Sequence, residues 1–123
     1  MPQPLLAALA EFATSIRWVN LPDSVREQAR LNVLDTAGCI ASGARLEESL
    51  RLLNVEASMG NSGASTVLGS TRKLSAQSAA RVNAYMGDVF ELNDLIGGHA
   101  SIGTITPALA LAEQLGSSGE RLL

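Results

Sequence analysis

The chain has 123 residues, and nine Lys and Arg against twelve Asp and Glu leave a formal net charge of −3. That balance offers no basic face to attract nucleic acid and no block of like charge that reads as an acidic tail. Apolar residues make up 46% of the chain but aromatic residues only 3%, so Leu, Ala, Val and Ile must fill the core, which favours helices packed closely through small side chains.

The N-terminus, Met1-Pro2-Gln3-Pro4, lacks the basic region of a secretory signal. A first helix is predicted from Pro4 to Ile16, with Leu5, Leu9, Phe12 and Ile16 at helical spacing. Trp18 to Asp23 reads as a connection, and Pro22 opens a second helix that runs to Gly43. Its stripe is Val25, Ala29, Val33, Ala37 and Ile40, with Leu34 and Ala41 beside it. Cys39 lies in this helix as a small buried side chain rather than a nucleophile. As the single cysteine it can form no intrachain disulfide. Asp35 in the same helix needs hydrogen-bond partners if it is buried.

A third helix is expected over Leu46 to Ala57, with Leu46, Leu50, Leu53 and Ala57 in register. Residues 59–73 form a Gly/Ser-rich linker in which Ser65-Thr66-Val67-Leu68 is at most a short strand. Ser75 caps a fourth helix through Ala79, Ala80 and Val82. Gly97 and Gly98 mark a loop. Thr104 or Thr106 caps a fifth helix, with Pro107 in its first turn and Gly116 beyond its end. Ser118 caps a last pattern that stops at Leu123, which reads as a truncation. Apolar runs interrupted by Glu11, Arg17, Asp35 and Glu48 do not reach the roughly 20 residues that span a bilayer. The expected class is therefore an all-α helical bundle, soluble, in a reducing cytoplasm.

The chemistry concentrates between Asn83 and Ser101. Asp88, Glu91 and Asp94 are spaced by three, which on a helix makes them neighbours. Carboxylates that close repel one another, and burial raises some of their pKa values toward the range useful for proton transfer. The only histidine, His99, follows two glycines that let the chain turn and aim the imidazole. Apolar Val89, Phe90, Leu92, Leu95 and Ile96 surround the acids, against the simpler reading of a solvated helix end. A metal site is disfavoured, because one histidine distant from a Glu/Asp pair matches no strong ligand spacing. The Gly-rich pieces at Gly60 and Gly69 lack the ending of a phosphate-binding loop, and Ser101 lacks the flanking glycine of a nucleophile elbow.

Several pieces in order resemble the MmgE/PrpD family, over nearly the whole chain. They are Leu21-Pro22, Val33-Leu34-Asp35-Thr36-Ala37-Gly38-Cys39, Ser65-Thr66-Val67-Leu68-Gly69, Leu74-Ser75-Ala76, Ala79-Ala80-Arg81-Val82-Asn83-Ala84, Pro107 to Glu113 and Gly119 to Leu123. The family's central pattern is Asn-x-x-x-x-His-x-x-Asp-Phe-Asp-Asp followed by His-Pro. Here Asn83 holds the Asn, Asp88 replaces the first histidine, Glu91-Leu92-Asn93-Asp94 stands for Asp-Phe-Asp-Asp, and His99-Ala100 stands for His-Pro.

The resemblance implies a mainly helical domain built from N- and C-terminal parts of a chain, with an α/β lid between them. Residues 1–123 would supply only the first part. It implies a cofactor-free lyase, such as a 2-methylcitrate-type dehydratase or a decarboxylase, or an epimerase, acting on a small di- or tricarboxylic acid and working as a homodimer in full-length form. Glu91, Asp94 and His99 would be catalytic, and Asn83, Asp88 and Ser101 would bind substrate. By itself the segment would be inactive, because no basic residue lies between Arg81 and Arg121 to hold a polyanion. The departures at Asp88 and Asn93 point to a changed substrate or reaction. The alternative is a noncatalytic helical scaffold or oligomerisation module that has lost the chemistry, or a stand-alone helical dimer.

Overall fold

A computed structural model describes residues 4–94 and 98–123. Helix α1 (Leu5–Ser15) leads through a single 3-10 turn at Trp18–Asn20 into the long α2 (Asp23–Gly43) and then α3 (Glu47–Ser58). Strands β1 (Ser62–Thr66) and β2 (Lys73–Leu74) follow, then α4 (Ala76–Asp88), α5 (Ala100–Gln114) and the single turn α6 (Gly119–Leu122). The architecture is mainly helical, as the periodicity predicts, with one small antiparallel hairpin.

Local chemistry explains most element ends. The Ser75 hydroxyl accepts a hydrogen bond from the Ser78 amide at the start of α4, and Ser118 accepts one from the Arg121 amide at the start of α6. Each satisfies a helix N–H that lacks a partner in the first turn. The linker is more ordered than its composition implies. Thr66 pairs with Lys73, and both Ser62 and Ser65 face Leu74 across an irregular register. Val67, just beyond β1, is fully buried.

The core lies where α4 is packed between α2 and α5, with the hairpin against α4 and α5. Ile40, Ala44, Leu53, Val67, Leu74, Ala79, Val82, Met86 and Ala110 form it. Gly43 lets α2 approach α4, because a Cβ there would overlap the Met86 carbonyl.

Four expectations are corrected. First, α5 begins at Ala100 rather than at Thr104 or Thr106. The two threonine hydroxyls donate back to the Ala100 and Ile102 carbonyls at 2.7 Å instead of capping amides. Pro107 therefore sits inside the helix, and the bond it cannot donate would have gone to Gly103, on the exposed side.

Second, α3 turns a different face inward. Ser49, Leu53 and Glu56 are buried while Leu50 is exposed. Glu56 is drawn in by Arg81 of α4, whose Nη1 lies 2.9 Å from its Oε1, and by the Asn61 amide at 3.3 Å. These partners hold the Glu56 carboxyl below its usual range, the Arg81 hydrogen bond most of all.

Third, α2 is buried only in its C-terminal half, at Thr36, Cys39, Ile40 and Gly43, and Val25 and Leu34 are exposed. A 21-residue helix is about 30 Å long and the 13-residue α4 about 20 Å, so α4 covers only part of it. Fourth, the apolar stripe of α1 forms a helix as its spacing predicts, but none of its residues is buried.

Candidate functional site

α4 ends at Asp88, and this ending shapes the site. The Val89 amide bonds the Tyr85 carbonyl and the Glu91 amide bonds the Asp88 carbonyl at 2.8 Å. Glu91 then takes a left-handed backbone, φ 51°, unusual for a residue with a side chain. The expected single helical turn carrying Asp88, Glu91 and Asp94 is therefore not formed. The three acids instead lie on a helix end and the loop that follows, and Glu91 projects from an exposed position.

The loop folds Asn93 inward, to 4% exposure. Its Nδ2 donates to Asp88 Oδ1 at 3.0 Å and to the Gly87 carbonyl at 3.4 Å. Its Oδ1 lies 3.0 Å from His99 Nδ1. His99 Nδ1 also lies 2.6 Å from Asp88 Oδ1. Three side chains from the end of α4, the loop and the residue before α5 thus meet around one ring nitrogen. Gly98, at φ 107°, supplies the turn that brings His99 back, a conformation closed to most side chains. The companion expectation for Gly97, like those for Leu95 and Ile96, lies outside the described residues.

Asp94 has a different partner. Its Oδ1 accepts the Ser101 amide at 3.2 Å, so it serves an unpaired N–H in the first turn of α5. A carboxylate there also complements the helix dipole. Ser101 is buried and enters the arrangement through this backbone amide.

Asn83 is not brought to this cluster. It lies five residues before Asp88 on α4, a rotation of about 140°. Its Oδ1 accepts the Leu68 amide at 2.9 Å and its Nδ2 donates to the Thr66 carbonyl at 3.0 Å. It fastens the end of β1 to the helix. Beside it Glu113 of α5 accepts from the Thr66 amide, the Thr66 hydroxyl and Lys73 Nζ at 2.5–2.7 Å. Lys73 first, then the two Thr66 donors, hold the Glu113 carboxyl down to about 2.

Sequence reasoning noticed Asn93 only as a departure from a family pattern. The clue to more was an amide among acids, since Asn can donate to a carboxylate while accepting from a ring N–H. Cys39 is buried as expected, and burial, then the nearby Asp35 charge, push its thiol up. Asp35 itself is exposed and needs no buried partner. Among the described residues, the pocket between the end of α1, Trp18 and α6 and the one beside Asn83 and Leu109 both lie away from the cluster. Among the described residues no group of three His, Cys, Asp or Glu is placed to hold a metal, and no helix is long and apolar enough to cross a membrane.

No curated protein and no solved structure matches the chain. A family model described as the MmgE/PrpD N-terminal domain matches residues 7–123, so the chain belongs to the MmgE/PrpD family.

Proposed function

We propose that this chain forms part of a lyase or isomerase that acts on small di- or tricarboxylic acids by moving a proton from carbon. Family membership supports the general kind of chemistry. The observation that carries the specific reading is His99, whose Nδ1 is engaged by Asp88 and Asn93 while the side chain stays 40% exposed. An imidazole anchored on one nitrogen offers the other to a substrate.

In this reading His99 removes a proton next to a carboxylate. The electron pair left on carbon forms a double bond as hydroxide departs with the electrons of its own bond, or it takes a proton back on the other face; in a decarboxylation the bond to carbon dioxide breaks instead, its electron pair stays on carbon, and a protonated His99 delivers the proton. Asp94 or Glu91 supplies the partner acid that protonates a departing hydroxide to water. The cations that hold a polycarboxylate come from outside this loop, because no Lys or Arg lies between Arg81 and Arg121.

A panel of unsaturated and hydroxylated di- and tricarboxylates, screened by thermal shift on the complete protein, identifies the substrate. On that substrate His99→Ala is expected to lower kcat by roughly 10²- to 10⁴-fold, the usual worth of a general acid or base. Unchanged turnover would remove His99 from the chemistry. Stabilisation by no member of the panel would favour the noncatalytic scaffold.

A further inference from the structure

We infer that Asn93 is a positioning residue, which together with Asp88 holds neutral His99 with its proton on Nδ1 and so makes Nε2 the basic nitrogen. The inference rests on the proposed role of His99 and adds the device that orients it.

The direction of each hydrogen bond follows from the groups themselves. Asp88 is a carboxylate and can only accept. Its Oδ1 lies 2.6 Å from His99 Nδ1 as an ion-pair contact, and a carboxylate that close opposes a lone pair on that nitrogen and favours a proton there. Asn93 carries both a donor and an acceptor, and which end points where is decided by its neighbours. Its Nδ2 faces two oxygens, Asp88 Oδ1 and the Gly87 carbonyl. Rotated by half a turn, the amide would set its oxygen against both. With Nδ2 fixed in this way, Asn93 Oδ1 faces His99 Nδ1 at 3.0 Å and also requires a donor there. Two acceptors thus converge on one ring nitrogen, and both ask for the same tautomer. The second nitrogen of the neutral ring is left with its lone pair.

Burial separates the two partners. Asn93 is 4% exposed, whereas the side chain of Asp88 is 45% exposed. The carboxylate is therefore softened by water, and the buried amide supplies the fixed geometry. Among the described residues the charged group in contact with the ring is Asp88; Asp94 is turned to the Ser101 amide, and Glu91 lies at an exposed position of the loop. A carboxylate at position 93 would lack the donor that joins it to Asp88. The asparagine instead links the acid and the imidazole without adding charge.

The test reads the tautomer directly, by nitrogen-15 NMR of the imidazole in the complete protein, with the His99 signals identified by their loss in His99→Gln. With the ring neutral, the wild-type protein is expected to show the proton on Nδ1. Asn93→Ala is expected to shift the ring toward a mixture of tautomers and to lower kcat at least 10-fold with little change in KM. Asn93→Gln, which keeps an amide, should recover part of both. Asp88→Ala alters an exposed side chain and keeps the fold testable should Asn93→Ala unfold; it too should mix the tautomers. A wild-type ring protonated on Nε2, or a tautomer unmoved by Asp88→Ala and by a folded Asn93→Ala, would overturn the inference. Because the tautomer is read without substrate, its failure is distinguishable from failure of the proposed reaction, which His99→Ala turnover reports.

Discussion

Asn83 and Asn93 lie ten residues apart, and both are almost fully buried. At Asn83 the amide spends its oxygen and nitrogen on main-chain groups of the hairpin, with the Glu113–Thr66–Lys73 clamp alongside. At Asn93 the amide spends them on Asp88, the Gly87 carbonyl and His99. The first site, within α4, is closed upon itself, and the second, at the end of α4, is buried on one side and open on the other. Burial and hydrogen bonding alone therefore do not mark a functional residue. The two asparagines differ in whether their partners reach solvent: Asp88 and His99 do, with side chains 45% and 40% exposed.

The largest expected effect that separates the two sites is on stability. Asn83→Ala leaves the Leu68 amide and Thr66 carbonyl without their partner, a cost of about 2–3 kcal/mol, measured by denaturant unfolding. Turnover per folded molecule should be kept. A variant that stays stable but loses substrate affinity would return Asn83 to the binding residues.

A second effect appears with pH at the closed site. The Glu113 carboxyl is held at about 2 in the folded protein, below its ordinary value of 4.5. The stability its ionised form gives is complete above the unfolded value and is lost as pH falls from about 4.5 toward about 2. Glu113→Gln should therefore flatten the acid limb of the stability curve in that window, only partly, since the pair is exposed enough for water to weaken it. An acid limb identical to wild type would show the clamp to be idle.

The smallest effect concerns the open site. Glu91→Gly removes a side chain from a left-handed position, and the relief should outweigh the added freedom of the unfolded chain by less than about 1 kcal/mol. Turnover is expected to stay within about threefold of wild type, leaving Asp94 as the partner acid. A loss comparable to that of His99→Ala would give the role to Glu91.

Much of the fold was legible because it rests on local chemistry. Ser75 and Ser118 cap the helices they appear to cap, and Pro22 and Gly43 bound α2. The start of α5 was not legible, since a threonine that bonds back to a carbonyl one turn earlier looks in sequence like a threonine that caps. Nor was burial along α1 and α2, because periodicity gives a face but not the length of the element that covers it. At the site, Asp88 and His99 were singled out for other reasons and the structure joins them. The spacing of the three acids misled, because it assumed a helix that stops at Asp88. The part of Asn93 was hidden because its partners lie five and six residues away, across a turn that only the folded loop makes.

The close approach at Gly43 has a consequence for how this loop can change. There α2 meets the main chain of α4 at Met86, two residues before Asp88, and on the other side Ile102 of α5 lies over Gly87, three residues beyond His99. Both anchors of the loop are thus set by backbone and core, independent of what the loop carries. The exposed side chain at 91 and the half-exposed one at 88 can be exchanged while the points from which they hang keep their places, much as a lathe keeps its axis when the tool is changed.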